Sequence, residues 1–420
     1  MIEGTRRRAV AAAVVAVTLG IAVAGQVSAA PGEPVQQFGD DGIATIGGRS
    51  GPYRASVVQE DGKIVTVIFE DGASVIVRLT ASGDLDPTFS RDGRVPIDPS
   101  FGPVSALALD GNRIVIAAIT DSGVADRVAS IGRLTGSGAW DRSFDGDGRL
   151  VLDTPGQITD LAAVAIGPGR TIVLLSNYSL AMSVQRLTSD GALDKTFSRD
   201  GTAKVPMPTG ASSVAGTLDL AADGGIVVSS AEITPTRIDT IVSRLTSGGK
   251  AVRGFGTNGW VRVSVDGRRY TDTYRVEFDD AGRIVGGGTT TPDGAKGFKM
   301  FAFRLTAGGS LDTRFAGDGI RTIALPSSGI AGGYLAQQDN GALVLAGVDR
   351  TRSIVVVRLT PRGAFDRSFS GDGRALVSTP SAGLNPLDID LAPGQDRAYM
   401  MAAVGAPGSF QAGVVAVRLS

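Results

Sequence analysis

One tripeptide organises this chain. Arg-Leu-Thr begins at Arg78, Arg133, Arg186, Arg244, Arg304 and Arg358, and a terminal Arg-Leu-Ser begins at Arg418. The intervals are 55, 53, 58, 60, 54 and 60 residues. A second anchor, Phe-x-x-(Asp/Asn)-Gly, begins at Phe38, Phe89, Phe144, Phe197, Phe255, Phe315 and Phe369. Each internal arginine precedes its phenylalanine by 11 residues while the flanks vary in length. Fixed spacing beside variable flanks marks a turn whose geometry the fold needs. A period of this size calls for units that bury their apolar faces on one another.

Between anchors the pattern is β throughout. One period reads "GRVPI", "VSALALD", "RIVIAAIT", "VASIGRLT", and the next reads "GRLVLD", "LAAVAIG", "TIVLLSN", "MSVQRLT". Short runs rich in Val and Ile, bounded by Gly, Asp or Pro, are the strand signature. "EDGK", "DGNR", "PGRT", "AGRI" and "DNGA" supply hairpin turns between the second and third runs. Four strands per unit, seven times over, is the arithmetic of an all-β, seven-bladed β-propeller with four-stranded antiparallel blades. The ends complement each other: the chain opens, after its leader, on "PVQQFGDDGIATI" and stops on "GVVAVRLS". The spacing therefore predicts that segment 35–47 completes the last blade beside 413–420, making 31–420 one domain. An open solenoid is the rival, and it leaves the complementary ends unexplained.

The anchors read as framework. Asp92, Asp147, Asp200, Asp318 and Asp372 each precede Gly, where Asp bonds its local backbone and Gly takes positive φ. The phenylalanines plug the connectors. Each arginine ends an apolar strand and needs carboxylate or carbonyl partners. Asp86, Asp141, Asp194, Asp312 and Asp366 are the candidates. The fifth unit, "GGKAVRGFGTNG", has Ala251 and Val252 in place of Leu-Asp and Asn258 in place of Asp. Arg244 must there rely on backbone carbonyls, in a looser turn.

"RLTASGDLDPTFSRDG" followed by "DGKIVTV" resembles the delta-60 repeat of bacterial secreted and surface proteins, and the likeness extends over residues 35–420. The resemblance implies a propeller scaffold and export; it supplies no catalytic set.

Residues 1–30 carry the three parts of a secretory signal: Arg6, Arg7 and Arg8, an apolar run from Ala9 to Gly25, and a small-residue cleavage site. An uncleaved anchor is the alternative, and the paired arginines also permit a twin-arginine route. Without that segment 38 basic and 41 acidic side chains remain, so there is no electrostatic footprint for nucleic acid. Cysteine is absent, so no disulfide staples an exported chain.

Histidine is absent too, which removes a Ser-His-Asp triad and imidazole ligation. No cofactor is expected. Asp145 and Asp147 in "DGDG" resemble a calcium loop, but no Glu follows in register, and a turn without metal is the expectation. Paired carboxylates remain available for glycoside or lyase chemistry. Glu60 and Glu277 both fall late on a second run. The densest local chemistry is Arg268, Arg269, Tyr270 and Tyr274, a candidate binding cluster. It belongs to the irregular loops, such as 119–128, 265–274 and 324–333, which share one end of a ring opposite the regular connectors. Function favours loops on a rigid scaffold. The leading expectation is an exported, non-catalytic module binding a protein or polysaccharide at the cell exterior. A carboxylate-dependent enzyme and an envelope spacer are the alternatives.

Overall fold

The computed structural model describes residues 30–50, 56–121, 127–152, 158–178, 181–208, 212–265, 270–291, 297–324, 330–378, 383–405 and 411–420. Strands and turns make up nearly all of it. The described helical segments are two 3-10 turns, Pro99–Phe101 and Pro168–Arg170. No described helix is long and apolar enough to cross a membrane. The leader reading of residues 1–30 lies almost wholly outside the described residues.

Each period folds into an antiparallel four-stranded unit. In the second, Val104–Asp110, Arg113–Asp121, Arg127–Leu134 and Arg149–Leu152 pair in that order. Hairpin turns between the first two strands follow the sequence cues. Gln59 N–H donates to Lys63 O, and Gly62 N–H closes back on Gln59 O with φ of 80°. Three units depart from the uniform pattern. Ser212–Leu220 through Trp260–Val263 joins Tyr270–Phe278 through Ile320–Ile323 as one eight-stranded sheet, by a single parallel bridge between Ile238 and Tyr270. In the first period, Arg49–Ser50 and Ser56–Val58 both pair with Ile64–Glu70, at opposite ends of it.

At the chain ends, Ile43–Gly47 pairs antiparallel with Gln411–Arg418, Ile43 opposite Val415. Gly32 N–H donates to Arg418 O and Arg418 N–H to Glu33 O. Val35, Phe38 and Ile46 share one core cluster with Ile64 and Val77 of the first period and Met401 and Val414 of the last. The other cores repeat this plan. Phe144, Ile131 and Val115 of one sheet pack with Leu161 and Leu174 of the next. Cores therefore form between the faces of adjacent sheets, and all seven anchor phenylalanines are fully buried. Each is worth roughly 1.5–3 kcal/mol in burial alone.

The anchor arginines tie neighbouring units together. Arg78 Nε meets Asp86 Oδ2 at 2.8 Å, and the pairs Arg133–Asp141, Arg186–Asp194 and Arg358–Asp366 repeat that distance, with Arg304–Asp312 at 3.0 Å. Nη1 then crosses into the following connector: Arg78 to Gly136 O (2.6 Å), Arg133 to Ser189 O, Arg186 to Ser247 O, Arg304 to Pro361 O and Arg358 to Leu419 O. Arg244, without its carboxylate, keeps that bond alone, to Ala307 O at 2.8 Å. It lies over Phe278 rather than Phe255, whereas Arg78, Arg133, Arg186, Arg304 and Arg358 lie over their own anchor phenylalanines. Gly39 N–H reaches Ser82 O in the same manner, from the N-terminal segment to the first connector.

Burial alone would raise the Asp86 carboxyl, but hydrogen bonds from Thr88 and the charge of Arg78 hold it below its ordinary value. Asp92, Asp147, Asp200, Asp318 and Asp372 each accept the N–H two residues on, at 2.8–3.0 Å. Asp147 is thus a turn cap. At Asn258 the turn is closed instead by paired backbone bonds between Thr257 and Trp260.

Candidate functional site

The first strands of the units touch in succession. Ser56–Val58 meets Val104–Asp110, then come Ile158–Ile166, Ser212–Leu220, Tyr270–Phe278, Ile330–Gln337 and Gly383–Leu391, which meets Ser56–Val58. A narrow cavity of about 140 Å³ runs between them. It opens beside a larger one of about 520 Å³ at the end carrying the turns Asp279–Gly282 and Gln338–Gly341 and the connector residue Pro361. Asp219 and Glu277 line both.

A bulge aims the key side chains. Register shifts between Thr273 and Arg275, so Tyr274 is the extra residue, and Arg275 and Glu277 share one face while Val276 is buried in the core. The strand Gly383–Leu391 shifts between Pro386 and Asp388, and there Asp388 and Asp390 line the cavity with Ile389 buried behind them. Arg275 Nε meets Glu277 Oε1 at 2.8 Å, and its Nη1 lies 3.5 Å from both Asp388 Oδ1 and Asp390 Oδ1. Ser56 Oγ donates to Asp390 Oδ2 at 3.4 Å. Val57, Ala106, Leu107, Ala162 and Ala163 form much of the remaining wall, so among the described residues charge lies on one side.

Two carboxylates also brace the edges of adjacent strands. Asp219 Oδ2 accepts Phe278 N–H at 2.7 Å, and Glu277 Oε2 accepts Gln337 N–H at 3.0 Å. Burial pushes Asp390 up to about 8, with Arg275 opposing and Asp388 and Glu277 reinforcing the rise. Burial likewise raises Asp219 and Glu277, against the pull of local hydrogen bonds and Arg275. A carboxyl held in its neutral form by burial is capable of acid–base work. Here, though, one guanidinium bridges Asp388 and Asp390, which suits holding a group more than attacking one.

Of the expected cluster, Arg268 and Arg269 lie outside the described residues. Tyr270 donates to Asp272 Oδ2 at 3.1 Å and sits edge-on to Phe298. Tyr274 stacks on Tyr334 with centroids 5.1 Å apart. Glu60 is exposed on a turn, whereas Glu277 lines the channel. Sequence reading missed Asp219, Arg275, Asp388 and Asp390. The signal was register: Asp219, Glu277 and Asp390 sit opposite Val227, Val285 and Tyr399, the position filled by Val57, Ala108, Ala165 and Ala336 in other periods. Among the described residues no group of three or more acidic side chains is arranged to hold a metal ion.

Residues 59–89 match the family model described as "Domain of unknown function (DUF5122) beta-propeller", which upholds the resemblance to the delta-60 repeat on that stretch. The chain has no match among curated proteins. Among solved structures it is similar to virginiamycin B lyase from Staphylococcus aureus, at 13% identity over 90% of this chain and 99% of that one, with a TM-score of 0.53. A streptogramin B lyase is similar at 14% identity, over 90% and 97% of the two chains, also at 0.53. At such identities the likeness is one of fold, a β-propeller.

Proposed function

We propose that this is an exported seven-bladed propeller that binds a polysaccharide in the cavity at the mouth of its central channel, without turning it over. The successive contacts of the first strands, the arginine ties between connectors and the pairing of Ile43–Gly47 with Gln411–Arg418 support a ring shut by its own ends. The basic and apolar leader supports export. The observation that carries the binding reading is the mouth cavity itself. Its 520 Å³ falls within the range of small-ligand sites, and Gln337, Gln338, Asn340 and Asp280 line it with hydroxyl-bonding groups beside the ring of Phe278.

The test is glycan binding by the mature chain, 31–420, against a panel of bacterial and plant polysaccharide fragments. Asp280→Ala and Gln337→Ala are expected to weaken a hit about tenfold, the loss of roughly one well-made hydrogen bond to a charged or amide group. A hit indifferent to both changes, or no hit in the panel, overturns the assignment. The raised carboxyl of Asp390 favours a second reading, a carboxylate-dependent lyase or glycosidase. Product release from the same panel, abolished by Asp390→Asn, would establish that reading in place of the first.

A further inference from the structure

The mouth cavity lies against an anchor arginine that lacks one of its usual bonds. In four units Nη2 of that arginine donates to a hydroxyl ten residues on: Arg78 to Thr88, Arg133 to Ser143, Arg186 to Thr196 and Arg358 to Ser368, at 2.6–3.1 Å. Ten residues after Arg304 stands Arg314 instead. The Arg314 side chain is 76% exposed and turns to Asp312 Oδ1 at 3.1 Å. Arg304 Nε bonds Asp312 and its Nη1 bonds Pro361 O, but among the described residues its Nη2 has no hydrogen-bond partner. Yet Arg304 is only 5% exposed. Arg244 lacks the hydroxyl too, with Gly254 in its place, but it is half-buried and lines neither cavity.

A buried N–H without an acceptor is costly, and a guanidinium does not shed its proton to escape. Arg304 lines the mouth cavity beside Arg283. Both reach the same atom, Asp312 Oδ2, at 3.0 and 3.7 Å, and Arg314 draws on that carboxylate as well. Burial and the charge of Arg283 hold the Arg304 guanidinium below its ordinary value, against the pull of Asp312. The other carboxyls of the mouth are engaged elsewhere. Asp279 pairs with Arg283 at 2.6 Å, Asp339 accepts from Gln395 Nε2 at 2.7 Å, and Asp219 and Glu277 accept the Phe278 and Gln337 N–H groups. Asp280 is exposed at the rim, where water screens it.

The cavity thus asks a ligand for an acceptor oxygen beside two neighbouring guanidiniums. A hydroxyl meets that demand weakly. A carboxylate offers two acceptor oxygens in one plane, and its bonds to guanidinium are charge-assisted, roughly twice as strong as neutral ones. We infer that the polysaccharide bound at the mouth is acidic, and that one of its carboxylates accepts from Arg304 Nη2 beside Arg283. This rests on the binding reading above and adds the chemical class of the ligand.

The experiment is calorimetric titration of the mature chain at pH 7 with an α-1,4-linked galacturonate tetramer and, separately, with its full methyl ester. The two share a backbone and differ in charge. The acid is expected to bind at least tenfold more tightly, with the advantage shrinking in about 0.5 M salt. Arg314→Ser restores the hydroxyl that other units give their arginine and should erase the preference, with no loss of melting temperature. Arg314→Ala removes the same exposed charge without supplying an acceptor and should keep the preference. A preference that survives Arg314→Ser, or that both variants abolish equally, overturns the role of Arg304. Equal binding of the two tetramers, or binding of neither while a neutral glycan of the panel binds, overturns the acidic class and leaves the polysaccharide site standing. Absence of any hit in the panel counts against the binding reading itself.

Discussion

Arg78→Met separates the two jobs of an anchor arginine. Arg78 and Asp86 are buried, with side chains 5% and 3% exposed. The substitution keeps the apolar stem but removes the ion pair at 2.8 Å, the bond to Gly136 O and a bond to Thr88 Oγ1 at 3.0 Å. It leaves Asp86 with Lys63 at 3.6 Å and the Thr88 contacts. Orphaning one member of a buried pair costs about 3–5 kcal/mol. With Lys63 as partial compensation, the lower end, about 3 kcal/mol, is expected. Arg244→Met is the internal control. It forfeits the bond to Ala307 O and strands no carboxylate, so about 1 kcal/mol is expected. Adding Asp86→Asn to Arg78→Met removes the stranded charge and should recover well over half of the loss. The assay is urea unfolding followed by circular dichroism, comparing midpoints at unchanged m-value. Equal losses for Arg78→Met and Arg244→Met, or no recovery in the double variant, would refute the claim that the carboxylate pair, rather than the carbonyl tie, dominates.

Four further outcomes are expected. Asp390 binds a proton up to about pH 8 in the native state against 3.8 for the free side chain. Its contribution is therefore full below pH 4 and lost as pH rises through 8; Asp390→Asn should flatten that slope in melting temperature against pH. The anchor carboxyls act oppositely: Asp86, Asp141, Asp194, Asp312 and Asp366 are held below 3.8, so their contribution is present above that value and disappears as pH falls through their native values. Gly288→Ala places a Cβ 1.9 Å from Asp272 O and 2.8 Å from Thr273 Cα, which should cost about 3 kcal/mol or more in thermal unfolding, whereas Gly286→Ala meets first the ring of the buried Phe303, a side chain rather than backbone, and should cost less. Deleting residues 31–47 uncovers the strand Gln411–Arg418 and the buried Tyr399 and Met401, and size-exclusion chromatography should show oligomers; a monomer of unchanged melting temperature would exclude a structural role for that segment.

The framework was legible because its residues act locally. An Asp-Gly pair caps its own turn whatever surrounds it, and Arg and Phe 11 residues apart define a connector by spacing alone. Alternating apolar runs announce strands in the same way. Even the departure at Arg244 could be anticipated, since Val252 stands where a carboxylate was needed. The candidate site was not legible. Arg275 and Asp390 are 115 residues apart in sequence, and nothing in either neighbourhood marks the other. Their meeting depends on a one-residue bulge at Tyr274 that moves Arg275 onto the channel side, and on strands of separate units converging at the middle. Sequence by itself determined the repeat, its strands and its turns, through contacts that close within about a dozen residues. Tertiary structure decided which carboxyls face one another, because only the convergence of strands from distant units removes their water and brings Arg275 beside Glu277, Asp388 and Asp390.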